Sequence, residues 1–401
     1  MSHLPKIGRR GLLLGLTAMA ATARARLAFA ETTPATATAG ESRLVVIILR
    51  GAMDGMAALA PYGDPAYREL RGGIALPEPG QEQGLLDCGG FFGLNPQLAT
   101  LHRFFREGTL LPVHAVAGPY RNRSHFEAQD LLESGASERL SSGWLNRALV
   151  GLPEAPPGKP ETGLALGLDL PLLMRGPQRV GMWAPPRPVR PPPDLYARMA
   201  ELLHADPALG PAVADGMRAR GYATAVLGQK RDLRGGFVAL AGIAGKLLAT
   251  PEGPRVAAME LGGWDTHADQ SRRLGPVLGQ LDAGMSALQA QLRGAWSKTA
   301  VLVMTEFGRT VRVNGAGGTD HGTGGVAFLL GGAVAGGRVL ADWPGLAEGQ
   351  LFEKRDLQPT RDLRAVAKAL LRDHLRLPAG AVAAAFPGSG AVAPEAGLFR
   401  A

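Results

Sequence analysis

The sequence predicts an α/β fold: a mostly parallel central sheet with helices on both faces. Three observations predict it. RLVVIILR (43–50), RVAAMEL (255–261) and TAVLVMT (299–305) are near-continuous apolar runs rather than alternating ones, as expected of strands buried on both faces. These runs alternate with segments of helical periodicity, the order of an α/β chain. A polar cluster follows each run at once, and open α/β sheets gather their active groups at the carboxyl ends of strands.

Taken in order, the chain opens with a basic segment, Lys6, Arg9 and Arg10, ahead of the apolar run GLLLGLTAMAATA and the small-x-small site Ala28-Phe29-Ala30. Residues 1–30 read as a signal peptide rather than a spanning helix, because the run is short and ends in arginines. The pair Arg9-Arg10 points to twin-arginine export machinery, the competing reading being an ordinary secretory signal with a chance arginine pair, with cleavage near Ala30 and a periplasmic or secreted product. A Thr/Ala/Pro-rich linker over 31–42 follows. One domain is expected over 43–401. Its first strand, 43–50, ends in GAMDGM. PQLATLHRFFREG (96–108) predicts a helix, TLLPVHAVAG (109–118) a strand, and SHFEAQDLLESG (124–135) a helix with Ser124 as N-cap, Glu127 closing a capping box and Gly135 as stop.

The middle is harder to read. ETGLALGLDLPLLM has room for a strand, APPRPVRPPPDL (184–195) is too proline-rich for a central element, and helical segments follow at about 194–206, 211–226 and 232–249. This stretch, about 150–250, reads as a helical, proline-rich insertion. After it come the strand 255–261, an amphipathic helix at about 267–295, the strand 299–305, a short strand GVAFLLGG (325–332) and the helix 361–375.

The bulk numbers bound the function. With 401 residues, 46% hydrophobic and 19% charged, a sizeable core is expected. Of the formal charge of +8, the first 30 residues carry +5, so the rest is only +3 and gives no reason to expect nucleic acid as a partner. No segment after the leader is long and apolar enough to span a bilayer. The single cysteine, Cys88, excludes an internal disulfide, and its turn-like LLDCGG setting offers no basic neighbour to activate a thiolate.

Four segments deliver acids and imidazoles to one presumed sheet edge: Asp54 after the first strand, Asp265 and His267 in GGWDTH, Glu306 in EFGR, and Asp320 and His321 in TDHGTGG. Residues i and i+2 of an extended segment share a face, so Asp265 and His267 can reach one ion; the competing reading is that Asp265 caps the following helix. Carboxylate oxygen with imidazole nitrogen suits zinc, manganese or iron better than calcium. Asp54 reads either as a ligand or as a helix cap, and TDHGTGG either as a ligand pair or as a tight turn. Glu306 could bind metal or act as a base, and Arg309 could bind an anion with its planar fork, unless the two pair with each other. Ser124 sits at a helix N-terminus, where an activated hydroxyl could attack, or where it merely caps the helix. Arg121 and Arg123 beside it could hold a phosphate or sulfate. His102, His114, His204 and His374 lack such settings and read as surface or satisfied core histidines.

The segments LRGAMDGM, SHFEAQDLLESG, GGWDTH and TEFGRTVRVNGAGGTDHGTGG resemble the exported bacterial domain-of-unknown-function family fifteen-oh-one, over residues 43 to at least 345. That family is regarded as a relative of the alkaline phosphatase and sulfatase superfamily, so the resemblance implies divalent metals at the carboxyl edge of a central sheet. It also implies that Ser124 matches the nucleophile, Asp54 the first-strand metal acid, Asp265 and His267 the Asp/His pair, and His321 the final metal histidine. TAVLVMTEFGR resembles the strand that normally ends in Asp-His-Gly, but here Glu306 and Phe307 stand in place of Asp and His. The expectation is a metal-dependent hydrolase of phosphate or sulfate esters acting on an anionic small molecule or polymer. Two alternatives stand beside it: a non-catalytic metal-containing protein that binds an anionic polymer or a protein partner, and a metal-dependent transferase or mutase.

Overall fold

The computed structural model describes residues 42–153, 161–185 and 236–400, together with 202–203, 206 and 226–227. The expected leader and linker, most of 184–195, most of 194–206 and 211–226, and His204 lie outside the described residues. Among these residues an eight-stranded sheet forms the centre, built from β1 (Arg43–Arg50), β5 (Leu110–Ala117), β6 (Gly163–Leu166), β7 (Val180–Trp183), β8 (Val256–Gly262), β9 (Thr299–Thr305), β10 (Gly325–Leu330) and β11 (Arg361–Asp362). Its order is β11-β5-β10-β9-β1-β8-β6-β7. Every pairing is parallel except those of β10, which runs antiparallel to β5 and β9.

The central strand shows why the sheet is buried on both sides. Val45, Ile47 and Leu49 enter one hydrophobic cluster and Leu44, Val46 and Ile48 the other, as the period-2 alternation of side chains demands. The first face is covered by α3 (Ala99–Arg106), α6 (Gly236–Ala249) and α7 (Gln270–Leu292), which contribute Leu101, Phe104, Leu240, Leu278 and Leu281. The second is covered by α4 (His125–Ser134), α5 (Trp144–Leu149), α8 (Leu363–Ala369) and α9 (Ala379–Ala385), with Leu132, Trp144, Leu145, Val366 and Val382. The remaining short elements, α1 (Gly55–Ala58), β2 (Leu59–Ala60), α2 (Tyr67–Arg71), β3 (Leu86–Asp87) and β4 (Gly93–Leu94), form a side unit whose three strands pair in the order β2-β4-β3.

Three details differ from the sequence expectation. The segment expected to be an insertion supplies two strands, β6 and β7, to the edge of the main sheet, and α6 to the first-face core. GLAL lies in the stretch read as having room for a strand and pairs with β8, while VGMW, too short for a periodic signal, pairs with β6. Ser124 does stand at the N-cap of α4 and Gly135 ends that helix in the left-handed region, but the capping box is not formed: the Glu127 carboxylate accepts from the Tyr120 hydroxyl instead. The helix expected over 361–375 is α8 followed by a wider π turn over Leu370–His374.

Cys88 is buried and free, and burial pushes its thiol up to about 12. His114 and His374 are buried with backbone partners: His114 Nε2 lies 3.0 Å from Leu59 O, and His374 Nε2 lies 2.8 Å from Arg43 O.

Candidate metal centre

The carboxyl ends of β1, β5, β8 and β9 share one edge of the sheet. Because β10 runs the other way, its amino end lies there too, so the loop before it reaches the same place as the loops after the others. The loop after β8 carries Asp265 and His267, the segment after β9 carries Glu306 and Arg309, and the loop before β10 carries Asp320 and His321. The first residue of α4, just beyond β5, is His125. Backbone pairing locks two of these segments together: Gly308 N donates to Thr323 O at 2.9 Å, Gly322 N to Gly308 O at 2.8 Å and Thr310 N to Asp320 O at 2.9 Å. The approach is so close that a Cβ on Gly308 would fall 1.9 Å from Gly324 O, and one on Gly322 2.4 Å from the Arg309 carbonyl carbon. Gly308 and, within TDHGTGG, Gly322 are therefore required by close packing.

The imidazoles meet through one kind of atom. His321 Nε2 lies 2.9 Å from His125 Nε2 and 2.9 Å from His267 Nε2. Asp265 Oδ1 lies 3.0 Å from His267 Nε2, 3.5 Å from His321 Nε2 and 3.7 Å from His125 Nε2. His125, Asp265 and His321 present donor atoms all within 4.8 Å of one another; His267 Nε2 adjoins Asp265 and His321 and also lies 3.4 Å from Arg309 Nη1.

The opposite ring nitrogens settle the tautomers. His125 Nδ1 faces Glu306 Oε1 at 2.8 Å, His267 Nδ1 faces Asp320 Oδ1 at 3.1 Å, and His321 Nδ1 faces the Arg123 carbonyl at 2.9 Å. Each of those oxygens can only accept, so each Nδ1 carries a hydrogen, and a ring in its neutral form turns an Nε2 lone pair inward. Lone pairs 2.9 Å apart repel unless a proton or a cation stands between them. Donors around a tetrahedral ion with bonds of about 2.0–2.1 Å lie roughly 3.3 Å apart, inside the spread of separations seen here. Imidazole nitrogen and one carboxylate oxygen fit zinc, manganese or iron, and the anchoring of each distal nitrogen by an oxygen is the outer layer such ligands require.

Electrostatics reinforce the arrangement. Glu306 is buried, which raises its pKa, but hydrogen bonds from His125 and Gln129 and from the Gly51 backbone N–H at 2.9 Å hold it below the usual carboxylate range. Its carboxylate in turn raises the pKa of His125. His321 is pushed down by burial and then by the positive charge of His125. Burial opposes ionisation of Asp265, yet the Arg309 guanidinium hydrogen-bonded to it keeps it low. Asp320 is held low by a hydrogen bond from Asn314 and then by His267, against partial burial. Arg309 itself is buried and spends its donors on the carbonyls of Ala52 (2.8 Å), Gly51 (2.8 Å) and Thr319 (3.0 Å) as well as on Asp265.

The structure thus brings together Asp265, His267, Glu306, Arg309, Asp320 and His321 of the residues singled out in the sequence. It places Asp54 elsewhere in the edge. That carboxylate is buried, caps α1 by accepting from Ala57 N at 3.1 Å, pairs with Arg71 and accepts from Gln270 Nε2 at 2.6 Å. The Ser124 backbone N–H donates to the Tyr120 hydroxyl at 3.3 Å. Arg121 donates to the carbonyls of Gly118 and Tyr120, and Arg123 pairs with Asp356 at 2.8 Å and Glu353 at 2.5 Å. Asp265 does not cap α7, whose N-cap is Asp269. Phe307 is buried with its ring 4.9 Å from that of His125 and 5.1 Å from that of His321, so it walls the imidazole pair. His125 is the donor that sequence reasoning passed over. Its signal was present, an imidazole opening the helix that follows a buried strand, but the neighbouring Ser124 took the functional reading.

A family model described as "Protein of unknown function (DUF1501)" matches residues 111–386. No curated protein matches the chain in sequence. Among solved structures, the C-terminal periplasmic domain of EcEptC from Escherichia coli, in complex with Zn, is similar at 10% identity and a TM-score of 0.30, over 75% of this chain and 77% of that one. A protein in the alkaline phosphatase superfamily from Vibrio parahaemolyticus is similar at 10% identity and a TM-score of 0.31, over 81% and 69%. Phosphonoacetate hydrolase from Sinorhizobium meliloti 1021, in complex with phosphonoformate, is similar at 13% identity and a TM-score of 0.28, over 69% and 60%.

Proposed function

The chain belongs to the family described as protein of unknown function DUF1501, and from that premise we propose that it is an exported, divalent-metal-dependent hydrolase of phosphate or sulfate esters. One observation carries the reading: the convergence of the His125, His267 and His321 Nε2 atoms with Asp265 Oδ1, each imidazole anchored through Nδ1. When bound there, a divalent cation supplies Lewis acidity toward an ester oxygen and toward the attacking oxygen.

The chain's own residues do the rest. His125, His321 and Asp265, with His267 beside them, would hold the ion. Glu306 and Asp320 fix the imidazoles of His125 and His267 in their donating tautomer, and Glu306 is the buried base nearest the centre. Arg309 keeps Asp265 ionised and aimed. Phe307 excludes water from one side, which strengthens every charge interaction within. Ser124, at the N-terminus of α4, is the candidate nucleophile, with developing negative charge favoured by that helix end. Asp54 supports the edge through Arg71 and Gln270. Export through the twin-arginine machinery, with cleavage near Ala30, would place the folded, loaded protein in the periplasm or outside the cell.

A second reading, a metal-containing exported protein that binds an anionic polymer or a protein partner without turnover, is favoured by a specific observation. Arg121, Arg123 and Arg309, the side chains expected to grip an anion, are all engaged by protein oxygens.

The test is metal content by elemental analysis of the purified mature chain, followed by assays with aryl phosphate, phosphodiester and aryl sulfate. The hydrolase reading expects at least one zinc, manganese or iron per chain and turnover that vanishes in His321→Ala and falls in Ser124→Ala. Stoichiometric metal with no turnover on any of these would transfer the case to the second reading. A metal-free protein whose stability is unchanged in His321→Ala would sink the site.

A further inference from the structure

We propose that the Gln270 side chain is a positioning residue that ties together the two loops bearing the metal ligands, with Asp54 as its anchor. The proposal rests on the metal-site reading above. Gln270 opens α7 and is buried to 1% exposure. Its Oε1 accepts from the Thr266 hydroxyl at 2.9 Å and from the Thr319 hydroxyl at 2.7 Å, while its Nε2 donates to Asp54 Oδ2 at 2.6 Å. Thr266 lies between Asp265 and His267, and Thr319 directly precedes Asp320 and His321. One carboxamide therefore bonds both ligand-bearing loops, which also meet through their backbones, Thr319 N donating to Thr266 O at 3.2 Å.

The chemistry fixes the amide's orientation. Asp54 is paired with Arg71 and can only accept, so Nε2 must face it; the two threonine hydroxyls then meet an oxygen. Thr266, Thr319 and Asp54 are all buried to 1% exposure or less, so water does not substitute for a lost partner. Arg71 carries the chain of contacts outward, donating to the carbonyls of Thr310 (3.3 Å) and Val311 (3.2 Å) in the segment beyond Arg309. Asp54, which the sequence offered as a metal acid, here holds the amide that sets the distance between His267 and His321. A catalytic metal set tolerates displacements of only about 0.5 Å, so the tie acts on affinity through geometry rather than through contact with the ion.

The experiment compares wild type, Gln270→Ala, Thr319→Val and Thr319→Ser for zinc affinity, by competition against a chromophoric chelator at 20 °C. Cobalt-substituted visible spectra and the melting temperature of chelator-treated protein accompany each. The tie predicts zinc binding weakened about tenfold or more in Gln270→Ala and Thr319→Val, with an altered cobalt spectrum. Thr319→Ser, which keeps the hydroxyl, should stay within about threefold of wild type. A merely structural role would lower the melting temperature of the metal-free protein while leaving zinc affinity and the cobalt spectrum unchanged, and that result overturns the proposal. If Gln270→Ala does not fold, Thr319→Val against Thr319→Ser decides alone. A wild type that binds no metal overturns the tie together with the reading beneath it; a wild type that binds metal, with unaltered variants, overturns the tie only.

Discussion

The Glu306–His125 pair makes a quantitative prediction. Glu306 Oε1 accepts three hydrogen bonds, from His125 Nδ1 at 2.8 Å, Gly51 N at 2.9 Å and Gln129 Nε2 at 3.0 Å, and the side chain is fully buried. Glu306→Gln keeps the shape and one acceptor oxygen but removes the charge that assists all three. Outer-layer partners of this kind shift metal affinity by roughly 10- to 100-fold, which is about 1.4–2.7 kcal/mol at 25 °C. The same carboxylate also raises the His125 pKa, through its hydrogen bond and then against the effect of burial, so it strengthens proton binding as well as metal binding at that ring. The two effects oppose each other as pH falls. Well above the His125 pKa the variant should bind zinc about 10- to 100-fold more weakly. Toward pH 5 the gap should narrow, because the wild-type ring is by then the more fully protonated one. Zinc titrations with a competing chelator at pH 8, 6.5 and 5 test this. Equal affinities at pH 8, or a gap that widens on acidification, would refute the assignment of Glu306 as the orienting base of His125.

Further outcomes follow from other residues. His114 and His374 are held neutral by burial, with pKa values lowered from 6.5 to about 4. Since the folded values are depressed, neither costs stability above pH 6.5, and each removes about 3 kcal/mol as pH falls from 6.5 to 4. His374→Gln, which retains a donor for Arg43 O, should flatten the urea-unfolding pH slope by that share; an unchanged slope contradicts it. Cys88 should resist a thiol reagent in the native state and react only on unfolding, given its burial and raised pKa; rapid native labelling would contradict the packing. Arg309→Lys should lower stability by at least about 3 kcal/mol in urea unfolding, because one ammonium cannot serve four carbonyls and Asp265 at once. A variant as stable as wild type would show those bonds to be dispensable.

How much of this was legible in the sequence depends on which residues carried a signal. The strands 43–50 and 299–305 were readable to the residue, because a strand buried on both faces has to be apolar throughout. Of the four-residue strands, β6 was placed only to within the segment ETGLALGLDLPLLM, and β7 was not read at all, since four residues cannot display a period and its identity rests on pairing with β6. For the site, Asp265, His267, Asp320 and His321 were legible from their place after buried strands or among glycines. His125 was hidden because a histidine in the first turn of a helix has many uses, and the imidazole's direction is set by Glu306, far away in sequence. Asp54 was misleading for the converse reason. An acid between glycines after the first strand looks the same in sequence whether its carboxylate meets an ion or Arg71.

The sharpest departure from the pattern the sequence suggested is Phe307, and the structure gives it a physical reading. In the aligned expectation that position offers a metal imidazole. Here the ring is buried against Ala52 and Ala128, with the rings of His125 and His321 tilted against it. His125 arrives from α4 to meet His321. An apolar wall stands beside the imidazole nitrogens on that side. The antiparallel β10 makes this possible. It delivers His321 from a loop that enters the edge rather than leaves it, and the glycines at 308 and 322 let that loop lie directly on the Phe307–Arg309 backbone. A Phe307→His substitution should therefore be read by metal stoichiometry. If the wall is what limits the site, the variant gains metal per chain or shifts its cobalt spectrum; if it gains neither, burial at Phe307 serves packing alone.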